Sequence, residues 1–243
     1  MKTLIIIPSR MSATRLPGKP LLKINGLSII SHVSKKAEEA NIGDVIVAAE
    51  DQEIIEDVKR NGFNAILTSN KHKTGTDRIH EALTKSNIRD VDFVMNLQGD
   101  EPAIDVQDIV NLNHKMVLNT SNIGTLAATI KDKNNLKNEN IVKVITENTL
   151  EDKNFPRGIS FLRKSEQIEN IYHHIGVYCY SKDTLERFVQ LNQSKNEMEN
   201  RLEQLRALDN NIDINVSLAK SSPIGVDTEE DYLALKKIME YKN

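Results

Sequence analysis

The first half of the chain alternates short, unbroken apolar runs with amphipathic stretches, and few architectures satisfy that pattern. Residues 3–7, 45–49, 65–67 and 93–97 are the apolar runs. Runs of this length without polar alternation fit strands buried on both faces. Between them, residues 28–40, 52–61 and 76–86 carry apolar side chains at roughly 3.6-residue spacing, as in the stripe Ile29, Ile30, Val33 and Ala37. Strand and helix in alternation predict βαβ units, hence an α/β fold with a mostly parallel central sheet. In such sheets ligands sit beyond the carboxyl ends of the strands. The loops after Ile7 and Leu97 are therefore the first places to look for chemistry.

The second half changes character. Longer strands are predicted over residues 126–130, 141–145 and 172–180, and a polar surface loop over 131–140. A helix over about 198–209 follows, with Met198, Leu202, Leu205 and Leu208 as its core stripe, then a strand near 212–218 and a last helix from Glu229. The 243 residues suit one α/β domain with a lobe inserted at roughly 131–195.

Composition narrows the function classes. Apolar residues make up 39% and charged residues 28%, ordinary values for a globular protein, and with no Trp the core rests on Ile, Leu and Val. The N-terminal apolar run, Leu4 to Ile7, ends at Pro8, too short for a secretion signal. The single cysteine, Cys179, excludes an internal disulfide and fits a reducing, cytoplasmic setting. A net charge of -3 gives no general attraction to nucleic acid or membrane. Locally the balance differs: no Asp or Glu precedes Glu38, while Arg10, Arg15, Lys19 and four further lysines do. Such a segment is either a solvated surface or an anion site.

Several motifs could carry chemistry. RMSATRLPGKP, residues 10–20, follows the first strand; Pro17-Gly18 enforces a tight bend, and Arg10, Arg15 and Lys19 could gather around a polyphosphate. It matches neither a Walker A loop nor a dinucleotide glycine fingerprint. NLQGDEP, residues 96–102, ends a strand, so Asp100 is either a turn residue or a carboxylate for Mg²⁺ on a nucleotide phosphate. In GVDTEED, residues 225–231, Thr228 and Asp231 form a capping-box pattern. Asp227 is then either a helix-start residue or a second metal carboxylate. Thr74, Gly75 and Arg78 lie in a helix opening that could cap the helix or bind an anion. Residues 172–180 alternate, with His174, Gly176, Tyr178 and Tyr180 on a face polar enough for a sugar, and His173 and Cys179 on the other. Adjacent histidines on opposite faces disfavour a zinc site. On spacing alone, Glu203 and Arg206 make a solvated i,i+3 ion pair.

Together the stretches IIIPSRMSATRLPGKPL, TGTDR, NLQGDEP, HHIGVY, LEQLRAL and GVDTEEDY closely resemble the 3-deoxy-manno-octulosonate (Kdo) cytidylyltransferases, in the family's order and over almost the whole chain. The resemblance implies a Rossmann-like nucleotidyltransferase fold, a homodimer formed through the inserted lobe, and Mg²⁺-dependent conversion of CTP and Kdo into CMP-Kdo and diphosphate for lipopolysaccharide synthesis. It assigns Arg10, Arg15 and Lys19 to the triphosphate. Thr74, Gly75, Arg78 and Gln98 fall around the nucleotide, and Asp100 and Asp227 on the metal. Lys19, Arg15, Asp100 and Asp227 form the catalytic set. His174, Tyr178, Glu203 and Gln204 fall on the sugar pocket, with Arg157 beside them. One segment departs from the family: relatives commonly read Tyr-Phe-Ser-Arg where this chain has Asn154-Phe155-Pro156-Arg157. Two other readings remain open on sequence: CMP transfer to a related sugar acid (an 8-amino Kdo analogue or a sialic-type acid), and a non-catalytic CTP-binding module.

Overall fold

A computed structural model describes residues 1–12, 15–222 and 225–241. Ala13 and Thr14, inside the basic motif, lie outside the described residues. The chain divides into two compact units, one of residues 1–107 with 223–243, the other of residues 108–222. The second unit thus begins before and ends after the 131–195 segment that the sequence marks as an inserted lobe.

The first unit is built on four parallel strands, β1 (Thr3–Ser9), β4 (Gly43–Ala49), β5 (Ala65–Leu67) and β6 (Phe93–Asn96), ordered β6-β1-β4-β5. A two-stranded hairpin, β2 (Lys23–Ile24) and β3 (Leu27–Ser28), stands apart from them. Leu4 to Ile7 are fully buried, as strands covered on both faces require. Helices α1 (Ile29–Glu39), α2 (Gln52–Arg60) and α3 (Gly75–Lys85) connect the strands. Ser28 caps α1 by accepting from the Ser31 N–H, and Thr74 caps α3 by accepting from the Asp77 N–H. The final helix, α8 (Glu229–Glu240), starts at the predicted capping box of Thr228 and Asp231. It docks through a small cluster of Ile24, Ile29, Val226 and Leu235, against which Leu16, Leu22 and Tyr232 pack. That cluster joins three distant stretches of sequence: the basic loop, the hairpin and the C-terminal helix.

Helix α4 (Val106–Asn119) leads into the second unit, whose strands are β7 (Ile123–Thr129), β8 (Lys143–Thr146), β9 (Gly158–Leu162), β10 (Ile171–Ser181) and β11 (Ile214–Leu218). They are ordered β11-β7-β10-β8-β9; only β11 and β7 run parallel. A register shift in β10 between Ile175 and Tyr178 sets His174 opposite Ala127 and Tyr178 opposite Thr125, two residues apart on β7, and the two ring centroids lie 5.4 Å apart. Cys179 is fully buried, in keeping with a core thiol. After α5 (Lys182–Phe188), the sequence predicted one helix over 198–209. Two short helices form instead, α6 (Lys195–Asn200) and α7 (Leu205–Asp209), broken by Arg201 in the left-handed region at φ 53°. Met198, predicted to be core, is 57% exposed, whereas Leu202 and Leu205 are buried. Among the described residues no helix is long and apolar enough to cross a membrane.

Candidate active site

The carboxyl ends of β1 and β6 open into a cleft of ≈ 350 Å³ in the first unit. Its wall gathers residues from the basic loop, the start of α3, the loop after β6 and the start of the C-terminal segment. Two backbone features shape it. Gly18 adopts φ +70° at the bend before Lys19, a region that penalises any residue with a Cβ. At Gly99 a Cβ would come within 2.9 Å of the Pro8 carbonyl oxygen, so the loop after β6 can lie against the end of β1 only with glycine there. The basic loop is anchored where it leaves β1, because the Met11 N–H donates to Asp51 Oδ2 at 2.8 Å. The C-terminal segment is tied in by the Val226 N–H, which donates to the Asp100 carbonyl at 2.9 Å.

These restraints bring the predicted charged residues together. Lys19 Nζ lies 2.7 Å from Asp100 Oδ2 and 3.2 Å from Asp227 Oδ1. Arg15 Nη2 lies 2.9 Å from Asp227 Oδ2. The capping box forms, with Asp227 immediately before the cap, and Asp227 and Asp100 both pair with the Lys19 ammonium. Glu101, which sequence reasoning did not select, is held up to about 8 by burial and then by the neighbouring Asp100 and Asp227 carboxylates. Its Oε2 is buried with no hydrogen-bond partner among the described residues.

Arg10, Thr74, Gly75 and Gln98 line the same cleft, as does Arg78. Arg78 is nevertheless committed to the protein. It donates to Thr68 Oγ1 at 2.7 Å and the Ser69 carbonyl at 3.2 Å, and pairs with Glu50. It stiffens the wall more directly than it offers charge to a ligand. Ser9, Ser12, His72 and Lys73 also line the cleft and were not anticipated. His72 pairs with Glu81. Burial pushes the Glu81 carboxyl up, but hydrogen bonds from Lys85, His72 and the Ser69 N–H outweigh it and hold it at about 2. Ser12 lies within the 10–20 motif, Ser9 just before it, and Lys73 next to the Thr74 cap, whereas His72 carried no signal.

The predicted sugar residues lie in the second unit. His174 is 8% exposed, and burial, then neighbouring His173, depresses it to about 3, so the ring is neutral at pH 7. Thr125 Oγ1 is 3.0 Å from His174 Nε2 and also reaches the Val177 carbonyl at 2.8 Å and that of Ile175 at 3.2 Å. A hydroxyl has one proton, and the carbonyls can only accept it. Nε2–H therefore donates to Thr125, which leaves Nδ1 as the acceptor of the ring. Tyr178 is pushed up by burial, then by Tyr180 and the Glu203 carboxylate. Gln204 is buried where α7 begins.

Arg157 is half exposed and pairs within the unit, 2.9 Å from Glu147 and 3.4 Å from Asp213. The departing segment is pinned by its backbone. The Asn215 amide donates to the Phe155 carbonyl at 2.7 Å and the Val216 N–H to the Pro156 carbonyl at 2.8 Å. Glu203 and Arg206 are not a solvated pair: the Arg206 side chain is 4% exposed, and its main partner is Glu197, at 2.8 and 2.5 Å.

The cytidylyltransferase family profile matches residues 4–214. A nucleotidyl transferase from Methanothermobacter thermautotroptrophicus, only 12% identical, superposes with a TM-score of 0.65 over 100% of this chain and 99% of its own, a likeness of fold alone. Fold and site together define a nucleotidyltransferase, in the cytidylyl-transferring class. A 3-deoxy-manno-octulosonate cytidylyltransferase from Mesorhizobium japonicum is 40% identical over 98% of this chain and 99% of its own. A CMP:2-keto-3-deoxy-manno-octonic acid synthetase, solved with CTP, shares 32% identity and a TM-score of 0.90 over 100% of both chains. The chain belongs to the 3-deoxy-manno-octulosonate cytidylyltransferase family.

Proposed function

We propose that this protein transfers the CMP portion of CTP to 3-deoxy-manno-octulosonate, releasing diphosphate and supplying the activated sugar for lipopolysaccharide synthesis. The observation that carries this reading is the Lys19 ammonium held between Asp100 and Asp227, beside Arg15, in the cleft beyond β1 and β6. Cations and carboxylates gathered at one point suit a polyphosphate and the divalent ion that travels with it.

The two carboxylates fit Mg²⁺. They already converge on a cation, and Mg²⁺ on a nucleotide needs only one or two protein carboxylates, the phosphates and water completing its shell. When bound, the ion would polarise the α-phosphate and assist the attacking oxygen. Asp100 and Asp227 would hold it. Lys19 and Arg15, released from their carboxylates, would turn to the β- and γ-phosphates with Arg10 and offset charge growing on the leaving diphosphate. Thr74 and Gly75 present the amino end of α3 to the nucleotide. The anomeric hydroxyl of the sugar acid attacks the α-phosphorus in line, and diphosphate leaves opposite. Positioning and charge stabilisation carry the step, with no covalent enzyme intermediate. His174 would accept a sugar hydroxyl at Nδ1, alongside Tyr178, Glu203, Gln204 and Arg157. The protein acts in the cytoplasm as a homodimer joined through the lobe inserted at roughly 131–195.

The test is diphosphate release with CTP and Mg²⁺ across a panel of sugar acids: Kdo, its 8-amino analogue and sialic acid. Release with Kdo at least ten times that with the others is the expected result. Preference for another acid overturns the choice of sugar, and CTP binding without release under any acid overturns the enzymatic reading. Sedimentation at micromolar concentration checks the dimer.

A further inference from the structure

In the second unit a chain of rings runs from Phe161 through His174, Tyr178 and Tyr180 to Phe188, each pair with centroids 5.1–6.0 Å apart. Arg206 closes it, its guanidinium carbon 4.7 Å from the Phe188 ring centre. This arginine forks onto Glu197, donating from Nε at 2.8 Å and from Nη2 at 2.5 Å. Both side chains are at most 5% exposed. Glu197 is itself fixed, because its carboxylate also accepts from the Ser194 N–H at 3.1 Å and from Gln193 at 3.2 Å. The guanidinium thus has one orientation, and in that orientation Nη2 lies 3.5 Å from Glu203 Oε1. From outside, Arg163 grips the same turn through the carbonyls of Asn200 and Arg201, at 2.9 and 3.1 Å.

The geometry points to Arg206 as a positioning residue for the sugar acid, acting through Glu203. The inference rests on the reading of Glu203 as a sugar-pocket residue. Glu197 and Glu203 share one cation, so the trio carries a net charge of one negative instead of the two that its acids alone would present. The substrate of this reaction is itself a carboxylate, and an uncompensated Glu203 would repel it. An unanchored Glu203 would also spread over several rotamers, whereas one beside a fixed guanidinium is preorganised. Arg206 thus supplies both charge compensation and a fixed carboxylate, without touching substrate.

The experiment measures KM for Kdo and for CTP separately in Arg206→Met, Arg206→Lys, Glu197→Gln, Glu203→Gln and the double variant Glu203→Gln/Arg206→Met. Arg206→Met should raise KM for Kdo by on the order of ten-fold or more, as loss of an outer partner does at other preorganised sites, with KM for CTP within about two-fold. Arg206→Lys keeps the charge without the fork and should recover part of the loss. The double variant should be no worse than Glu203→Gln, since both changes remove one interaction. Should Arg206→Met fail to fold, Glu197→Gln, which keeps the shape of its side chain, must raise KM for Kdo on its own. An unchanged KM for Kdo in folded Arg206 and Glu197 variants overturns the inference, as do independent, multiplying losses in the double variant. If Glu203→Gln also leaves KM for Kdo unchanged, the assignment of the sugar pocket has failed, not merely the role of Arg206.

Discussion

Two ion-pair sites, one in each unit, differ in character. In the cleft of the first unit, Arg15 and Asp227 are half exposed or more, and Lys19 divides one ammonium between two carboxylates. In the second unit, Arg206 and Glu197 are shut away from water, forked, and backed by an aromatic ring. An exposed pair contributes little to stability because water solvates the separated charges almost as well. A buried pair costs several kcal/mol to break, because removing one partner strands the other in a low dielectric. The Arg15–Asp227 pair is exchangeable: its cation can leave the carboxylate for a phosphate at small cost, whereas the Lys19 side chain is only 13% exposed. The Arg206–Glu197 pair is a fixture, suited to holding something else still.

Breaking the exchangeable site should affect chemistry most. Asp100→Asn should lower turnover by roughly 1,000-fold or more through lost metal binding, with the thermal midpoint and circular dichroism unchanged. Near-normal turnover in the folded variant would remove Asp100 from the mechanism. The contrast sharpens on stability. Glu197→Ala should cost about 3–5 kcal/mol in denaturant unfolding, and Arg15→Ala no more than about 1 kcal/mol. Equal losses would show that the two pairs do not differ in kind.

A further contrast is the dependence on pH at the buried histidine. His174 has a folded pKa of about 3 against an ordinary 6.5, so the unfolded chain takes up the proton first. Its contribution to stability is whole above pH 6.5 and drains away as pH falls towards 3. One proton corresponds to a slope of about 1.4 kcal/mol per pH unit. Between pH 6.5 and 4, His174→Phe should therefore lose stability less steeply than the parent chain. Urea unfolding at pH 7, 6, 5 and 4 would read the difference, and parallel slopes would mean that the ring is protonated in the folded protein.

The parts legible in sequence were those written in local pattern. All four apolar runs of the first half are strands, and the three amphipathic stretches between them are helices, within a residue or two at each end. The capping box at Thr228 formed where its spacing put it. The break at Arg201 was not legible, because an arginine in the left-handed region bears no turn signature and the apolar spacing runs on through it. Helix α4, helix α5 and strand β9 were missed as well. The burial of Arg206 escaped for a related reason. Spacing paired it with Glu203 on a helix face, whereas its main partner, Glu197, lies across a turn that spacing cannot see.

What the amino-acid sequence determined by itself is the strand–helix rhythm, the cationic loop after the first strand and the short motifs that mark the family. These depend on neighbours within a few residues, where backbone propensity and side-chain periodicity act directly. The tertiary structure alone decided that Asp100 and Asp227 meet at Lys19, and that one arginine is exposed in the cleft while another is entombed. Both outcomes hang on contacts between distant stretches, such as the apolar cluster that docks α8 against the hairpin. Their free energies come from burial and desolvation, which no local window contains.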